Sequence, residues 1–199
     1  MAPTLLPLFL DLAGRTVLLV GGGTVAEAKL RCLLPTGCRL RLVASAFMAG
    51  FRFEARDRIL HQRPFQEEDL DGVHLVVAAT NDPAVNARIA ALARARGLWV
   101  NAVDDPPSCD AQFAATLRRG PWTVALSTAG AFPGLSRSLR LLLEDLLPEG
   151  DAEPLEQLVE LRARLRRRLP DPEARGAALR DLLQKFEQAY FGLPSGAPQ

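Results

Sequence analysis

Short apolar runs alternate with amphipathic stretches along the first hundred residues. Thr16-Val17-Leu18-Leu19-Val20 is mostly apolar and ends in glycines, the pattern of a strand buried on both faces of a parallel sheet. Thr24 to Leu34 reads as a helix with Ala26, Leu30 and Leu33 along one face, and Pro35 and Gly37 stop it. Arg39 to Val43 alternates and predicts a second strand, Ile59 to Gln62 a weaker third, and Val73 to Ala79 a largely apolar fourth. Asp82 is then a good N-cap, and Pro83 occupies the first helical position, where its missing N–H costs nothing. That helix runs to about Arg96, Gly97 ends it, and Leu98 to Val103 is the next strand.

Strands alternating with helices predict an α/β fold with a parallel sheet covered on both faces. The pattern changes after Asp104. Asp105-Pro106-Pro107-Ser108 is a loop, and Phe113 to Arg118 and Trp122 to Leu126 predict two strands joined by a hairpin turn at Arg119-Gly120-Pro121. Gly134 to Leu147 is an amphipathic helix that ends before Pro148. Leu155, Leu158, Leu161, Leu165 and Leu169 then recur at helical spacing. Pro170 and Pro172 break that helix, a second runs from about Glu173 to Phe191, and Gly192 to Gln199 is expected to be a frayed tail.

Composition narrows the function classes. Of 199 residues, 48% are hydrophobic and 24% charged, the balance of a folded globular chain. A net charge of +1 gives no global field toward nucleic acid or an anionic membrane. The arginine run from Arg162 to Arg168 is balanced by nearby acidic residues, without interleaved aromatics, so it reads as a solvated helix face. No stretch approaches the ~20 apolar residues that span a bilayer. The apolar stretch from Met1 to Leu12 lacks a basic start, so it reads as a lead into the first strand. Cys32, Cys38 and Cys109 have no metal-like spacing, and they read as packing residues or free thiols of a cytoplasmic protein. His61 and His74 are isolated, and His74 reads as a packing or capping residue.

Three constellations could carry chemistry. Gly21-Gly22-Gly23-Thr24-Val25-Ala26 follows a strand and opens a helix, and it fits the G-x-G-x-x-A turn of dinucleotide sites. Gly21 allows the tight turn, Gly23 lets backbone approach a pyrophosphate, and Ala26 lets helix and strand pack closely. The first-turn N–H groups supply the phosphate site. The second strand ends Val43-Ala44-Ser45-Ala46 without the acidic residue that usually binds the ribose. Ser45 and backbone groups could hold the ribose of NAD, or Arg39 or Arg41 could meet the 2′-phosphate of NADP, although an ordinary strand face explains those arginines as well. The second constellation, Asn101-Ala102-Val103-Asp104-Asp105, ends a strand where open parallel sheets bind ligands. A carboxylate there could accept a proton while hydride leaves to a nicotinamide, or simply cap the turn. In the third, Ser127-Thr128-Ala129-Gly130 precedes a helix that carries Arg137 and Arg140, and it could bind an anion or cap the helix.

Four motifs in order resemble the precorrin-2 dehydrogenases of sirohaem synthesis, a group that includes the N-terminal half of sirohaem synthase. They are Val20 to Ala26 with Lys29, Ala78-Ala79-Thr80-Asn81-Asp82 with Asn86, Asn101-Ala102-Val103-Asp104, and Ser127-Thr128-Ala129-Gly130 with Pro133. The likeness runs from Leu6 to about Pro148 and continues more weakly into the helical tail. It implies a Rossmann-like domain over 1–112, a small dimerisation region over 113–148 and a helical C-terminal domain over 149–199. It implies NAD-dependent oxidation of precorrin-2 to sirohydrochlorin by a homodimer, with Asp104 as general base. Gly21, Gly22, Gly23, Thr24, Val25, Ser45, Ala46 and Thr80 would bind NAD, and Thr128 and Arg137 the tetrapyrrole. Arg118, Arg119 and Arg140 would be further forks for its carboxylates. Thr128 stands where relatives can carry a phosphorylated serine. The resemblance leaves open whether ferrous or cobaltous ion is also inserted, and whether the product feeds sirohaem or a cobalt corrinoid. A non-catalytic module that senses NAD is the alternative, as is a chelatase without dehydrogenase activity.

Overall fold

The computed structural model describes residues 4–51, 58–147 and 152–191. The expected tail, Gly192 to Gln199, lies outside them. The chain divides into two compact units, Met1–Phe113 with Ala129–Ala131, and Ala114–Thr128 with Phe132–Gln199.

The first unit is built on five parallel strands: β1 (Thr16–Val20), β2 (Arg39–Ala44), β3 (Arg58–Gln62), β4 (Leu75–Ala78) and β5 (Trp99–Ala102). Their order across the sheet is β3-β2-β1-β4-β5. Because side chains alternate along a strand, β1 serves two cores at once. Leu18 and Val20 join Val76, Ala78, Val100 and Ala102 on one face, beneath Ile89, Ala90 and Ala93 of α2 (Pro83–Ala95). Val17 and Leu19 join Leu40, Leu42 and Val77 on the other, beneath Ala26, Leu30 and Leu33 of α1 (Thr24–Leu33). Leu18, Leu19, Leu30 and Ile89 are fully buried, so truncating any one to alanine would cost roughly 2–5 kcal/mol. This is the covered parallel sheet that the apolar runs predict.

Element ends follow local chemistry. The Asp82 side chain accepts the N–H groups of Ala84 and Val85 and starts α2 behind Pro83, as expected. Thr16 N–H donates to His74 Nδ1 at 3.3 Å, which gives His74 the capping role read from its position. The fourth strand is shorter than its apolar run, because Val73 leaves the ladder and its N–H turns back to Leu70 O.

The second unit holds an antiparallel hairpin, β6 (Ala115–Arg119) and β7 (Trp122–Leu126), with Arg119 paired to Trp122 across the Gly120-Pro121 turn. The first of these strands begins two residues later than Phe113, where the sequence pattern put it. Phe113 instead joins the core of the first unit. Three helices follow, α3 (Pro133–Leu146), α4 (Ala152–Arg168) and α5 (Pro172–Phe191). Leu158, Leu165 and Leu169 are half-buried, as their spacing implies, whereas Leu161 of the same series is 41% exposed. No helix among the described residues is long and apolar enough to cross a membrane.

Candidate active site

Strand order reverses between β1 and β4, and the crevice at their C-terminal ends is where doubly wound sheets bind ligands. The glycine turn fills that position. Gly21 donates to Val43 O at 2.9 Å and has φ +133. A Cβ there would lie 2.2 Å from Ala79 O, and one on Gly22 would lie 2.1 Å from Ala46 O. Both glycines are therefore required by the backbones on either side. Gly23 is different. Its φ of −93 suits any residue, and a Cβ there would meet only Asn81 Oδ1 at 3.7 Å. Gly23 is also the N-cap of α1, and no side chain caps the helix. The first-turn N–H groups, Thr24 and Val25 among them, and the positive end of the helix dipole are left for an anion.

A cleft of about 680 Å³ adjoins this turn, within the range of small-molecule sites. Val25, Thr80, Asn81, Asn86, Asp104 and Asp105 help to line it. Thr80 is held by buried Asn86, a residue the motif contained but the candidate site did not. Asn86 Oδ1 accepts from Thr80 N–H at 3.0 Å and from its hydroxyl at 2.7 Å, and Asn86 Nδ2 returns a bond to Thr80 O at 3.1 Å. Asparagine suits this work because its amide offers donor and acceptor on one short side chain.

Asp104 stands just beyond β5, on the rim of the same cleft, with its side chain exposed. Its φ is +60, uncommon outside glycine and costly unless the surroundings enforce it. Cys109 supplies part of that enforcement, since its Sγ lies 3.2 Å from Ala102 N, 3.0 Å from Ala102 O and 3.4 Å from Asp105 O. Burial pushes the Cys109 thiol pKa up, so the group stays protonated. A spare cysteine in the sequence is thus a staple of the loop. Asn101 Nδ2 donates to Ala111 O at 2.8 Å and closes the same loop from the strand side.

Ser45 and Ala46 are exposed beyond the C-terminal end of β2, and Met48 N–H ties their loop to Gly22 O at 2.8 Å. The two arginines of β2 cannot serve a 2′-phosphate there. Arg39 opens the strand, at the end away from the crevice, and Arg41 Nη1 donates to Asp69 O at 2.6 Å and Asp71 O at 3.0 Å.

In the second unit, Thr128 Oγ1 accepts Phe132 N–H at 3.0 Å just before α3, and Arg137 is exposed on that helix. Arg119 Nε donates to Leu147 O at 2.8 Å, and Arg140 pairs with Glu144. Those two guanidiniums are engaged inside their own unit. Arg118 is exposed on β6.

The donor set at the crevice fits a dinucleotide: two glycines demanded by packing, a third open to the cleft, and an uncapped helix start. A family model described as "Putative NAD(P)-binding" matches residues 8–115. The chain belongs to this NAD(P)-binding family. It is 41% identical over 173 residues to a siroheme synthase of Methylococcus capsulatus, which covers 85% of this chain and 36% of the relative. It is 39% identical over 191 residues to a siroheme synthase of Ectopseudomonas mendocina, covering 95% of this chain and 41% of the relative. The chain thus spans about two-fifths of the length of these curated relatives. A solved structure titled "SirC, precorrin-2 dehydrogenase" superposes with a TM-score of 0.76 at 27% identity, covering 94% of each chain. The likeness read from the four motifs is matched by relatives of the group it named.

Proposed function

We propose that this chain oxidises precorrin-2 to sirohydrochlorin with NAD as the oxidant. The observation that carries the reading is that Asp104 lines the same cleft as Val25, in the first turn of α1 two residues beyond the glycine turn. The relatives named for siroheme synthesis and the neighbour named for precorrin-2 dehydrogenation support it. When bound, the nicotinamide supplies a hydride acceptor. The residues do the rest. Thr24 and Val25 N–H groups at the start of α1 hold the pyrophosphate, and Gly23 lets it approach. Ser45 and Ala46 border the ribose. Thr80, locked by Asn86, shapes the wall of the cleft. The Asp104 carboxylate takes the proton that leaves the macrocycle as hydride departs, so two electrons and two hydrogens leave the substrate in balance.

Asp104 is favoured over Asp105 because it is the more exposed of the two aspartates that line the cleft, Asp105 being half-buried. Thr128 and Arg137 are assigned to the substrate's carboxylates, for which an arginine fork is suited. Ferrous or cobaltous ion, where inserted, would be a second substrate at the same carboxylate.

The same reading includes a homodimer. On α3, Leu135, Leu139, Leu142 and Leu146 are spaced by four, three and four residues and are 55%, 43%, 54% and 64% exposed. That is the seam by which helices pair. The test of the catalytic assignment is Asp104→Asn. It is expected to abolish NADH formation from precorrin-2 while leaving NAD affinity within about twofold, the separation expected for an interaction made only in the transition state. Unchanged turnover would overturn the assignment and leave a module that binds NAD for another purpose.

A further inference from the structure

The backbone after β5 holds Asp104 in a conformation that aspartate rarely adopts. Ala102, Val103, Asp104 and Asp105 form a turn closed by Asp105 N–H on Ala102 O at 3.4 Å. Asp104 is its third residue, at φ +60, a place that such turns usually give to glycine or asparagine. Glycine would relieve the strain, but a carboxylate that lines the cleft stands there instead. The strain must then be held by groups outside the turn.

Two side chains do so. Cys109 bridges the two ends of the turn: its Sγ accepts the Ala102 N–H at 3.2 Å, and its one hydrogen is shared between Ala102 O at 3.0 Å and Asp105 O at 3.4 Å. Arg94, in the last turn of α2, reaches the returning limb of the loop. Its Nε donates to both carboxylate oxygens of Asp110, at 3.1 and 3.3 Å, and its Nη2 to Pro107 O at 3.1 Å. Three acceptors on one planar guanidinium are a match that a lysine ammonium does not reproduce. The N–H groups of Asp110 and Ala111 both donate to Val100 O, at 2.8 and 3.1 Å, so this limb is tied to the sheet as well. An ion pair whose partners are 40% and 34% exposed contributes little to overall stability. What it fixes is local. The opposite end of α2 lines the cleft with Pro83, Ala84 and Ala87, so one helix sets a wall of the cleft and the loop that brings Asp104 to it.

We propose that Arg94 and Cys109 are positioning residues for Asp104: one grips the returning limb of the loop and the other joins the ends of its turn, so that the carboxylate stays at the cleft. Neither is among the residues that line the cleft, so both act through the loop alone. The inference rests on the reading of Asp104 as the base, and one arm of its test is therefore independent of catalysis.

Amide hydrogen exchange read by mass spectrometry is that arm. Arg94→Ala and Cys109→Ala are each expected to speed exchange over 102–111 roughly two- to tenfold, the weight of one lost hydrogen bond. Exchange over 16–33, in β1 and α1, should not change. Unchanged exchange in the loop, or an equal rise in both segments, overturns the clasp whatever the protein's activity. In the kinetic arm, each variant is expected to lower kcat for precorrin-2 oxidation roughly ten- to a hundredfold, the scale of a misplaced reacting group. The KM for NAD should stay within about twofold. Arg94→Lys keeps the charge and loses the fork, so it should behave as Arg94→Ala does. Cys109→Ser keeps a donor and an acceptor and should restore most of the rate. Because both residues act through one loop, the double variant should lose less than the product of the two single losses. An unchanged kcat, a loss carried by KM alone, or losses that simply multiply contradict the proposal. Absence of precorrin-2 oxidation in the unaltered protein would sink the proposed function, while hydrogen exchange would still decide the clasp.

Discussion

Gly21 and Gly23 are two residues apart, yet alanine at each should act on different properties, stability at the first and cofactor binding at the second. At Gly21 a methyl group would lie 2.2 Å from Ala79 O on a backbone with φ +133. Positive-φ strain of about 1–3 kcal/mol and overpacking of similar size should together cost roughly 2–6 kcal/mol of stability. At Gly23 the backbone is already one that alanine adopts, and the nearest atom is Asn81 Oδ1 at 3.7 Å. Gly23→Ala should therefore change the stability of the fold by less than about 1 kcal/mol, because the freedom lost by the unfolded chain is offset by alanine's poorer fit at a helix N-cap. Its methyl group would nonetheless stand toward a cleft-lining residue, where the pyrophosphate must approach. Losing a charge-assisted hydrogen bond or two, at about 1.5–3 kcal/mol, should weaken NAD binding roughly 10- to 150-fold. Urea unfolding and calorimetric titration with NAD on both variants test this. A Gly23→Ala protein that binds NAD as the parent does would refute the assignment of the open edge of the turn to phosphate.

Other expectations are as direct. Burial raises the pKa of Asp69, but Arg63 at 2.7 Å and the Gln66 N–H outweigh it, and the carboxyl sits below its ordinary 3.8. The stability this pairing contributes is fully present above pH 3.8 and lost as pH falls through the lower folded value. Denaturant midpoints of the parent and Asp69→Asn should therefore converge in acid, and a constant gap would contradict it. Cys32 is exposed whereas burial holds the Cys109 thiol protonated, so iodoacetamide should modify Cys32 well before Cys109, as peptide mapping would report. Leu139→Glu with Leu142→Glu should convert a dimer to a monomer in sedimentation, since each leucine buried in a seam contributes about 1.5–3 kcal/mol. An unaltered mass would move the interface elsewhere.

Much of the fold was legible because its signals are local. The apolar run Thr16 to Val20 is β1 residue for residue, and Asp82-Pro83 starts α2 as its capping chemistry requires. The glycine turn was legible as a tight strand-to-helix connection, since Gly21 and Gly22 leave no room for a Cβ. The rest depended on contacts distant in sequence. Phe113 reads as the first residue of a strand, but the core and Lys29, 84 positions earlier, draw it away. Arg41 reads either as an ordinary strand-face residue or as a candidate for a 2′-phosphate, and only the fold shows two carbonyls of the β3–β4 connection claiming it. The left-handed backbone of Asp104 and its support by Cys109 leave no mark in composition or spacing. Asn86 was present in a quoted motif, but only the structure shows that it locks Thr80.

As proposed, the glycine turn and Asp104 are the two halves of a dehydrogenase site. Anaerobic incubation of the protein with precorrin-2 and NAD tests it most directly, with NADH and the tetrapyrrole spectrum followed together. Sirohydrochlorin and NADH are expected in equal amounts, both abolished by Asp104→Asn. Tight NAD binding with precorrin-2 left unchanged would contradict it.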